Sequence, residues 1–375
     1  MTLATTRRPG VLLLIPHLGG GGAERVVANL ARYLSPKSYE VHLGLVTQSV
    51  QTPKDLPPCS TTHSLGARRV RGSAWKLLRL VWQVRPAIIL SGMAHLNLLV
   101  LALRPLFPPG TRVFVRQNGA LAATLAAPGN PKLARRIYAA AYKRADKVIC
   151  QSGQMAKELE SELGVISAKL VVLPNPIDIA RIRESAAAAA DLLPSSDLHL
   201  LAVARLAPEK GIDLLLEAFA GVCRRFPTAI LRIAGSGSCE PALRTQCNTL
   251  GIEEKVRLLG NVAEPALLFA STSLFVLSSR HEGMPNALLE AAAAGLPIVA
   301  LPASQGLVEL LDGQPGIWIA SEVSANALED SIIEAVSRIH AGQRFRHAWI
   351  EAFDVKNAIP AYENVIDQAL EDRQS

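Results

Sequence analysis

Short apolar runs alternate with helical stretches along almost the whole 375-residue chain, and the alternation breaks once and then restarts. Before the break, residues 11–15, 41–46, 87–90, 112–115, 147–150 and 170–173 read as strands. The helices lie between them; residues 23–34, for example, set Val26, Val27, Leu30 and Leu34 on one side. Residues 184–196 interrupt the rhythm with a five-alanine run, Pro194 and serines. After them, 198–204, 229–234, 256–259, 274–277 and 298–300 read as strands, and 211–226, 242–250 and 286–294 as helices. Short apolar strands separated by helices require parallel sheets covered on both faces. The expected fold class is therefore α/β, with two doubly wound Rossmann-like domains. The expected divisions are 1–184, 185–351, and a C-terminal helix in 352–375 that packs back on the first domain. Ligands of such sheets sit beyond the carboxyl ends of the strands. With two such domains facing each other, the expected site is the central cleft between them.

Composition narrows the function. Hydrophobic residues make up 49% and charged residues 19%, which excludes a disordered chain. The net charge of +7 averages two unlike halves. Residues 1–184 hold 25 Lys and Arg against 9 Asp and Glu, whereas residues 185–375 hold 14 against 23. From 56 to 145 there is no acidic residue but there are 14 basic ones, which suits an anionic partner for the first half; an arginine-rich genome and chance is the plain alternative. With 5% aromatic residues and no recognition motif, nucleic acid is not the expected anion. Arg7 and Arg8 precede only a five-residue apolar run before Pro16, too short for a signal peptide. The uncharged stretch 86–103 contains Ser91, Gly92, His95 and Asn97 and reads as a strand and a helix rather than a membrane span. Five cysteines without Cys-x-x-Cys spacing suit reduced thiols in a cytoplasm and no zinc site.

Four motifs could carry chemistry. Gly19, Gly20, Gly21 and Gly22 follow the first strand and open a helix, where backbone amides can approach a phosphate. The second strand ends Val46-Thr47-Gln48 without the acid that a nicotinamide site needs, and no Gly-Lys-Ser/Thr is present. Arg205 and Lys210 lie just beyond a buried strand, where a guanidinium fork and an ammonium suit a diphosphate; a solvated loop is the plain alternative. Gly235 and Gly237 form a second strand-end turn, which either faces a phosphate or ribose or is simply a turn. The most specific is His281-Glu282-Gly283-Met284-Pro285-Asn286-Ala287-Leu288-Leu289-Glu290. Pro285 suits a helix start, and free amides at Asn286, Ala287 and Leu288 would face an anion. Glu282 and Glu290 can accept hydrogen bonds from hydroxyls; the alternative is a capping carboxylate and an exposed helical glutamate.

The glutamates eight residues apart, followed by Gly-Leu-Pro-Ile-Val-Ala, resemble the GT-B retaining glycosyltransferases of family 4. So do Gly-Gly-Ala-Glu-Arg-Val near the start, Leu-Pro-Asn-Pro-Ile-Asp at 173–178, Arg205 with Lys210, and Glu309 in Gly-Leu-Val-Glu. The motifs arrive in the family's order and cover almost the whole chain. The resemblance implies that Arg205 and Lys210 hold a nucleotide diphosphate, that Glu282 contacts the donor sugar and Glu290 the ribose. It implies donor contacts at Gly19, Gly20, Gly21, Gly22, Gly235, Gly237, Val262, Asn286, Ala287 and Leu288. His95 resembles the family's histidine near the sugar. Met284, where an aromatic is common, and Ser304-Gln305-Gly306 before Leu307 depart from the pattern and bear on donor choice. The family implies retention by front-side attack. The chain has no Asp-x-Asp, so no metal is expected, and the cations together with the helix at 286 would stabilise the leaving diphosphate. No cofactor is expected beyond a UDP-sugar as substrate.

Residues 73–84 read as an amphipathic helix. Lys76, Arg79 and Gln83 form the narrow polar face, and Trp75, Leu77, Leu78, Val81, Trp82 and Val84 the apolar one. Arg68, Arg69 and Arg71 precede it. Such a helix either lies on an anionic bilayer or covers the sheet. The leading reading is a cytoplasmic enzyme at the inner face of the cell membrane, acting on a polyprenyl-diphosphate-linked or related glycan in bacterial surface glycan assembly. The alternatives are a soluble small-molecule or polysaccharide acceptor, or a non-catalytic sugar-nucleotide-binding protein.

Overall fold

The computed structural model describes residues 8–19, 21–47, 60–119, 121, 125, 130–188 and 198–372. They fall into two compact units, Met1–Pro176 with Val355–Ser375, and Ile177–Asp354.

The first unit contains β1 (Gly10–Ile15), α1 (Gly22–Tyr33), β2 (Glu40–Leu45), β3 (Ser60–Ser64), α2 (Ala74–Val84), β4 (Ile88–Ser91) and α3 (Ala94–Leu103). It continues with β5 (Arg112–Arg116), α4 (Pro131–Tyr142), β6 (Lys147–Cys150), α5 (Gly153–Leu163) and β7 (Leu170–Val172). Among the described residues these strands form one parallel sheet in the order β3-β2-β1-β4-β5-β6-β7. Successive β1 residues face opposite sides: Val11, Leu13 and Ile15 join one buried cluster, Leu12 and Leu14 the other. That is the physical content of a strand with no polar face.

The second unit contains α6 (Ile179–Ala188), β8 (His199–Val203), α7 (Ile212–Arg225), β9 (Ile230–Ala234), α8 (Glu240–Leu250), β10 (Val256–Gly260) and α9 (Ala266–Ala270). Then follow β11 (Leu274–Leu277), α10 (Asn286–Ala293), β12 (Ile298–Ala300), α11 (Gln305–Leu311), β13 (Ile317–Ile319) and α12 (Ala325–Arg338). Its sheet runs β10-β9-β8-β11-β12-β13, all parallel. Leu200 and Ala202 of β8 face one core and Leu201 the other. The final helix, α13 (Val355–Glu371), belongs to the first unit. Its Val355, Ile359, Tyr362 and Ile366 lie in the same buried cluster as Val26, Val27 and Leu30 of α1.

The two doubly wound Rossmann-like domains expected from the alternation are both present. The edge strands β3 and β13 were not among the expected strands. β3 reads Ser-Thr-Thr-His-Ser and, among the described residues, pairs only with β2, so it needs no apolar run. The five-alanine run was expected to open a break at 184. Instead α6 carries helix through Ala188, consistent with alanine's propensity. The rest of that stretch, 189–197, lies outside the described residues.

Candidate functional site

Both sheets change strand direction of growth at one point, between β8 and β11 in the second unit and between β1 and β4 in the first. Crevices at such switch points are where doubly wound sheets bind ligands.

In the second unit, β8 and β11 lie side by side, with Leu200 opposite Leu274. Beyond β8 the chain makes a 3-10 turn, Pro208–Lys210, and enters α7 through Gly211 at φ +60°. Only glycine fits there, because a Cβ would lie 2.0 Å from the carbonyl oxygen of Ser278. That close approach carries Lys210 to the loop after β11. Its Nζ stands 2.6 Å from Glu282 Oε1, and Ser279 Oγ donates to the same oxygen at 2.7 Å. The Lys210 and Glu282 side chains are only 19% and 10% exposed. The Ser278 hydroxyl donates to the Lys210 carbonyl at 2.9 Å.

Arg280 binds the two loops together. Its guanidinium contacts both Asp213 oxygens at 2.7 and 2.5 Å and donates to the Pro208 carbonyl at 2.8 Å. Its amide donates to the Glu209 carbonyl at 2.9 Å. The hydrogen bond from Arg280 is the main cause holding the Asp213 carboxyl below its usual pKa. Neither residue was singled out from sequence, because they lie 67 positions apart and only the fold brings them together.

Arg205 takes a different partner. Its side chain is 70% exposed and bonds Glu209, four residues on, at 2.8 Å. Among the described residues no hydrogen bond or ion pair joins it to Lys210 or Glu282. Gly235 and Gly237 are required by packing. Added Cβ atoms would lie 1.8 Å from the Ala204 oxygen and 2.2 Å from the Leu206 oxygen, and Gly235 has φ +146°. Backbone bonds Ala204 N to Ala234 O and Leu206 N to Ser236 O zip these two strand-end loops together, each at 3.0 Å. Val262, half-buried, follows β10.

α10 opens after Pro285, with Asn286 and Glu290 both buried. The expectation of free amides through Leu288 needs correction. The Leu288 amide donates to the Pro285 carbonyl at 3.1 Å, which tightens the first turn. Met284 is buried in the adjoining core.

In the first unit, the chain leaving β1 places His17, Gly19 and Gly21 at the switch point; Gly20 lies outside the described residues. The Gly19 amide donates to His17 Nδ1 at 3.2 Å, and Glu24 Oε1 approaches the same nitrogen at 3.4 Å. Glu24 is buried and folds over Gly21, where a Cβ would lie 2.1 Å from its carboxylate. Gly22 is the first residue of α1. Glu24 was visible in the Gly-Gly-Ala-Glu motif, but no role was read for it or for His17. His95 stands in the first turn of α3. Partial burial lowers its pKa, and the nearby His17 lowers it further.

Among the described residues no cluster of three or more His, Cys, Asp or Glu is arranged to hold a metal ion. No described helix is long and apolar enough to cross a membrane.

Comparison with known proteins yields a family match in each half. Residues 186–352 match the family described as Glycosyl transferases group 1, and residues 20–181 match Glycosyltransferase Family 4. An uncharacterised glycosyltransferase of Methanocaldococcus jannaschii is 28% identical over 174 residues, 45% of this chain and 43% of that protein. The chain spans under half the length of the first relatives it matches. A Campylobacter jejuni protein named N-acetylgalactosamine-N,N'-diacetylbacillosaminyl-diphospho-undecaprenol 4-alpha-N-acetylgalactosaminyltransferase is 26% identical over 348 residues, 90% of this chain and 92% of that one. Among solved structures, Anabaena HepE in complex with UDP-glucose superposes with TM-score 0.77 at 17% identity, covering 96% of this chain and 99% of that one. Likenesses of this kind establish the fold, which is GT-B.

Proposed function

Starting from a GT-B fold whose two halves each match a glycosyltransferase family, we propose that the chain is a retaining glycosyltransferase of family 4. It would move a sugar from a UDP-sugar to a polyprenyl-diphosphate-linked or related glycan in bacterial surface glycan biosynthesis. The observation that carries this reading is the Lys210–Glu282 pair, held at 2.6 Å and largely buried at the switch point of the second sheet. A glycan hydrolase would need two carboxylates flanking a glycosidic bond. Here a cation and a carboxylate stand together, which suits a substrate with an anionic leaving group.

Breaking the sugar–phosphate bond leaves negative charge on the diphosphate and builds positive charge on the sugar. Lys210 meets the first, and a preorganised cation is worth most where charge develops. Arg205 supplies a second cation. Its exposed pair with Glu209 is worth at most about 1 kcal/mol, so it exchanges readily for a diphosphate. These cations and the opening of α10 do the work of a metal clamp, so we assign a metal-independent reaction. Glu282 is assigned to the sugar hydroxyls and buried Glu290 to the ribose. The HepE complex supports UDP as the carrier, and the name of the Campylobacter relative supports a lipid-linked acceptor. The glycine segment of the first unit is assigned to the donor diphosphate and sugar, and His95 to the neighbourhood of the sugar. An acceptor anchored in lipid places the enzyme at the cytoplasmic face of the cell membrane.

A thermal-shift panel of sugar nucleotides tests the reading. The right donor at a hundred times its Kd adds about 2.7 kcal/mol of stability. No shift with any UDP-sugar sinks the proposal. An undiminished shift in Lys210→Ala means the site is elsewhere.

A further inference from the structure

The two tryptophans of α2 do not serve the core. The stripe that covers the sheet is Leu77, Leu80, Val81 and Val84. Trp75 and Trp82, expected on that apolar side, are 76% and 47% exposed and share the outer side with Arg79. Seven residues of helix separate them by about 10 Å along one line. Leu106, beyond α3, is also exposed, and its carbonyl accepts the Trp82 indole N–H at 2.9 Å. The Arg85 guanidinium lies 5.9 Å over the Trp82 ring.

Beside Trp75 the charge is concentrated. Arg68, Arg69, Arg71 and Lys76 line an open depression of about 520 Å³. Gly66, at φ +55°, turns the chain after β3, and its carbonyl accepts from Lys76 Nζ at 3.2 Å. Among the described residues none of these four cations, nor Arg79, has a carboxylate partner. The surrounding stretch 56–145 contains no acidic residue from which one could come. Exposed indoles leave apolar area in water, and clustered cations repel one another. One partner relieves both: a surface with an apolar interior beneath a layer of fixed phosphates.

We propose that this face of the first unit, Trp75, Trp82 and Leu106 beside the cup of Arg68, Arg69, Arg71 and Lys76, docks on an anionic phospholipid bilayer. The indoles enter the boundary between headgroups and acyl chains, and the cup takes lipid phosphates. The proposal deepens the functional reading above, because a lipid-linked acceptor would be met on that surface. Co-sedimentation with vesicles tests it. The intact chain binds vesicles of phosphatidylcholine mixed with phosphatidylglycerol, releases them as salt rises, and ignores phosphatidylcholine alone. Each cation near an anionic surface is worth about fivefold in partitioning, so Arg68→Gln, Arg69→Gln and Arg71→Gln together lower binding about a hundredfold. The same three changes to Lys keep it, and Trp75→Ala lowers it about tenfold. Equal binding to neutral vesicles, no binding to either kind, or a glutamine variant that binds like the intact chain overturns the proposal. UDP binding on the same samples reads the donor site separately. Vesicle binding without UDP binding breaks the functional reading and leaves this surface standing.

Discussion

The two units share one strand order around their switch points and furnish them differently. At the second unit's switch point, Lys210, Glu282 and Ser279 converge, and Arg280 with Asp213 fixes the loops that bear them. At the first unit's, glycines, two imidazoles and a folded-in Glu24 take the same place. The units also handle a buried cation differently. Lys210 faces a carboxylate. Arg116, at the end of β5 and 1% exposed, bonds Asn118 and Asn175 and contacts Tyr362, all neutral. A shared scaffold therefore does not dictate function; the residues grafted at the strand ends do. Lys210 stands beside a partner that a substrate can replace. Arg116 ties its strand to Asn175 and α13 and is structural.

The largest expected effect separates those two cations by activity. Lys210→Ala lowers kcat/KM about 10²- to 10³-fold, the scale of losing one preorganised stabiliser of developing charge. Steady-state kinetics with the cognate UDP-sugar checks it, and a loss under tenfold would remove Lys210 from the site. Arg116→Ala is expected to act on stability instead, by about 3 kcal/mol, since a large buried side chain is removed and its hydrogen-bond partners are stranded. Denaturant unfolding followed by circular dichroism reads that cost, and UDP binding by the second unit is expected to persist. A change under about 1 kcal/mol would show that Asn118 and Asn175 do not need the guanidinium.

Glycine substitutions sharpen the comparison at smaller scale. Gly211 and Gly164 adopt nearly the same left-handed φ, +60° and +62°. A Cβ at Gly211 meets the Ser278 backbone, whereas one at Gly164 meets only the flexible end of Lys143. Gly164→Ala in the first unit costs about 1 kcal/mol for its conformation alone. Gly211→Ala costs about 2 kcal/mol, with part of it coming from the forced backbone shift, and also raises KM for the donor. Equal melting-temperature shifts would mean that the loop after β11 yields easily.

How much of this was legible follows from which interactions are local. The doubly wound domains were readable because β1, β4, β8 and β11 are continuous apolar runs. β3 was not, since an edge strand of Ser, Thr and His is held by backbone pairing with β2. The wheel of α2 groups Trp75 and Trp82 with Leu77, Val81 and Val84 on one apolar face, because hydrophobicity ranks residues without knowing which side the sheet lies on. The buried stripe at 77, 80, 81 and 84 leaves both outside. Lys210 and Glu282 were each readable as motif residues. Their contact across 72 positions, and the role of Arg280, were not, because one sequence carries no record of contacts between distant loops.

The smallest effect concerns the clamp behind the second unit's site. Asp213 has a folded pKa below its ordinary value, chiefly through the hydrogen bond from Arg280. The unfolded chain therefore takes up a proton at a higher pH than the folded one does. The pair's stabilisation is complete above the ordinary carboxylate range, near pH 4, and is lost as pH falls through the lower folded value. Both side chains are partly exposed, 31% and 43%, so solvent screening keeps the contribution within about 1 kcal/mol at neutral pH. Asp213→Asn is expected to lower second-unit stability slightly at pH 7 and to match the intact chain at pH values where Asp213 is protonated. The variant should also raise KM for the donor more than it lowers kcat, because the clamp positions Lys210 and Glu282 without touching substrate. Melting curves from pH 7 downward check the first point. Curves for the two proteins that stay parallel to the lowest pH would mean that Asp213 gains nothing from Arg280. The first unit has no counterpart to this clamp among the described residues at its switch point, so its acid response should be the same in both proteins.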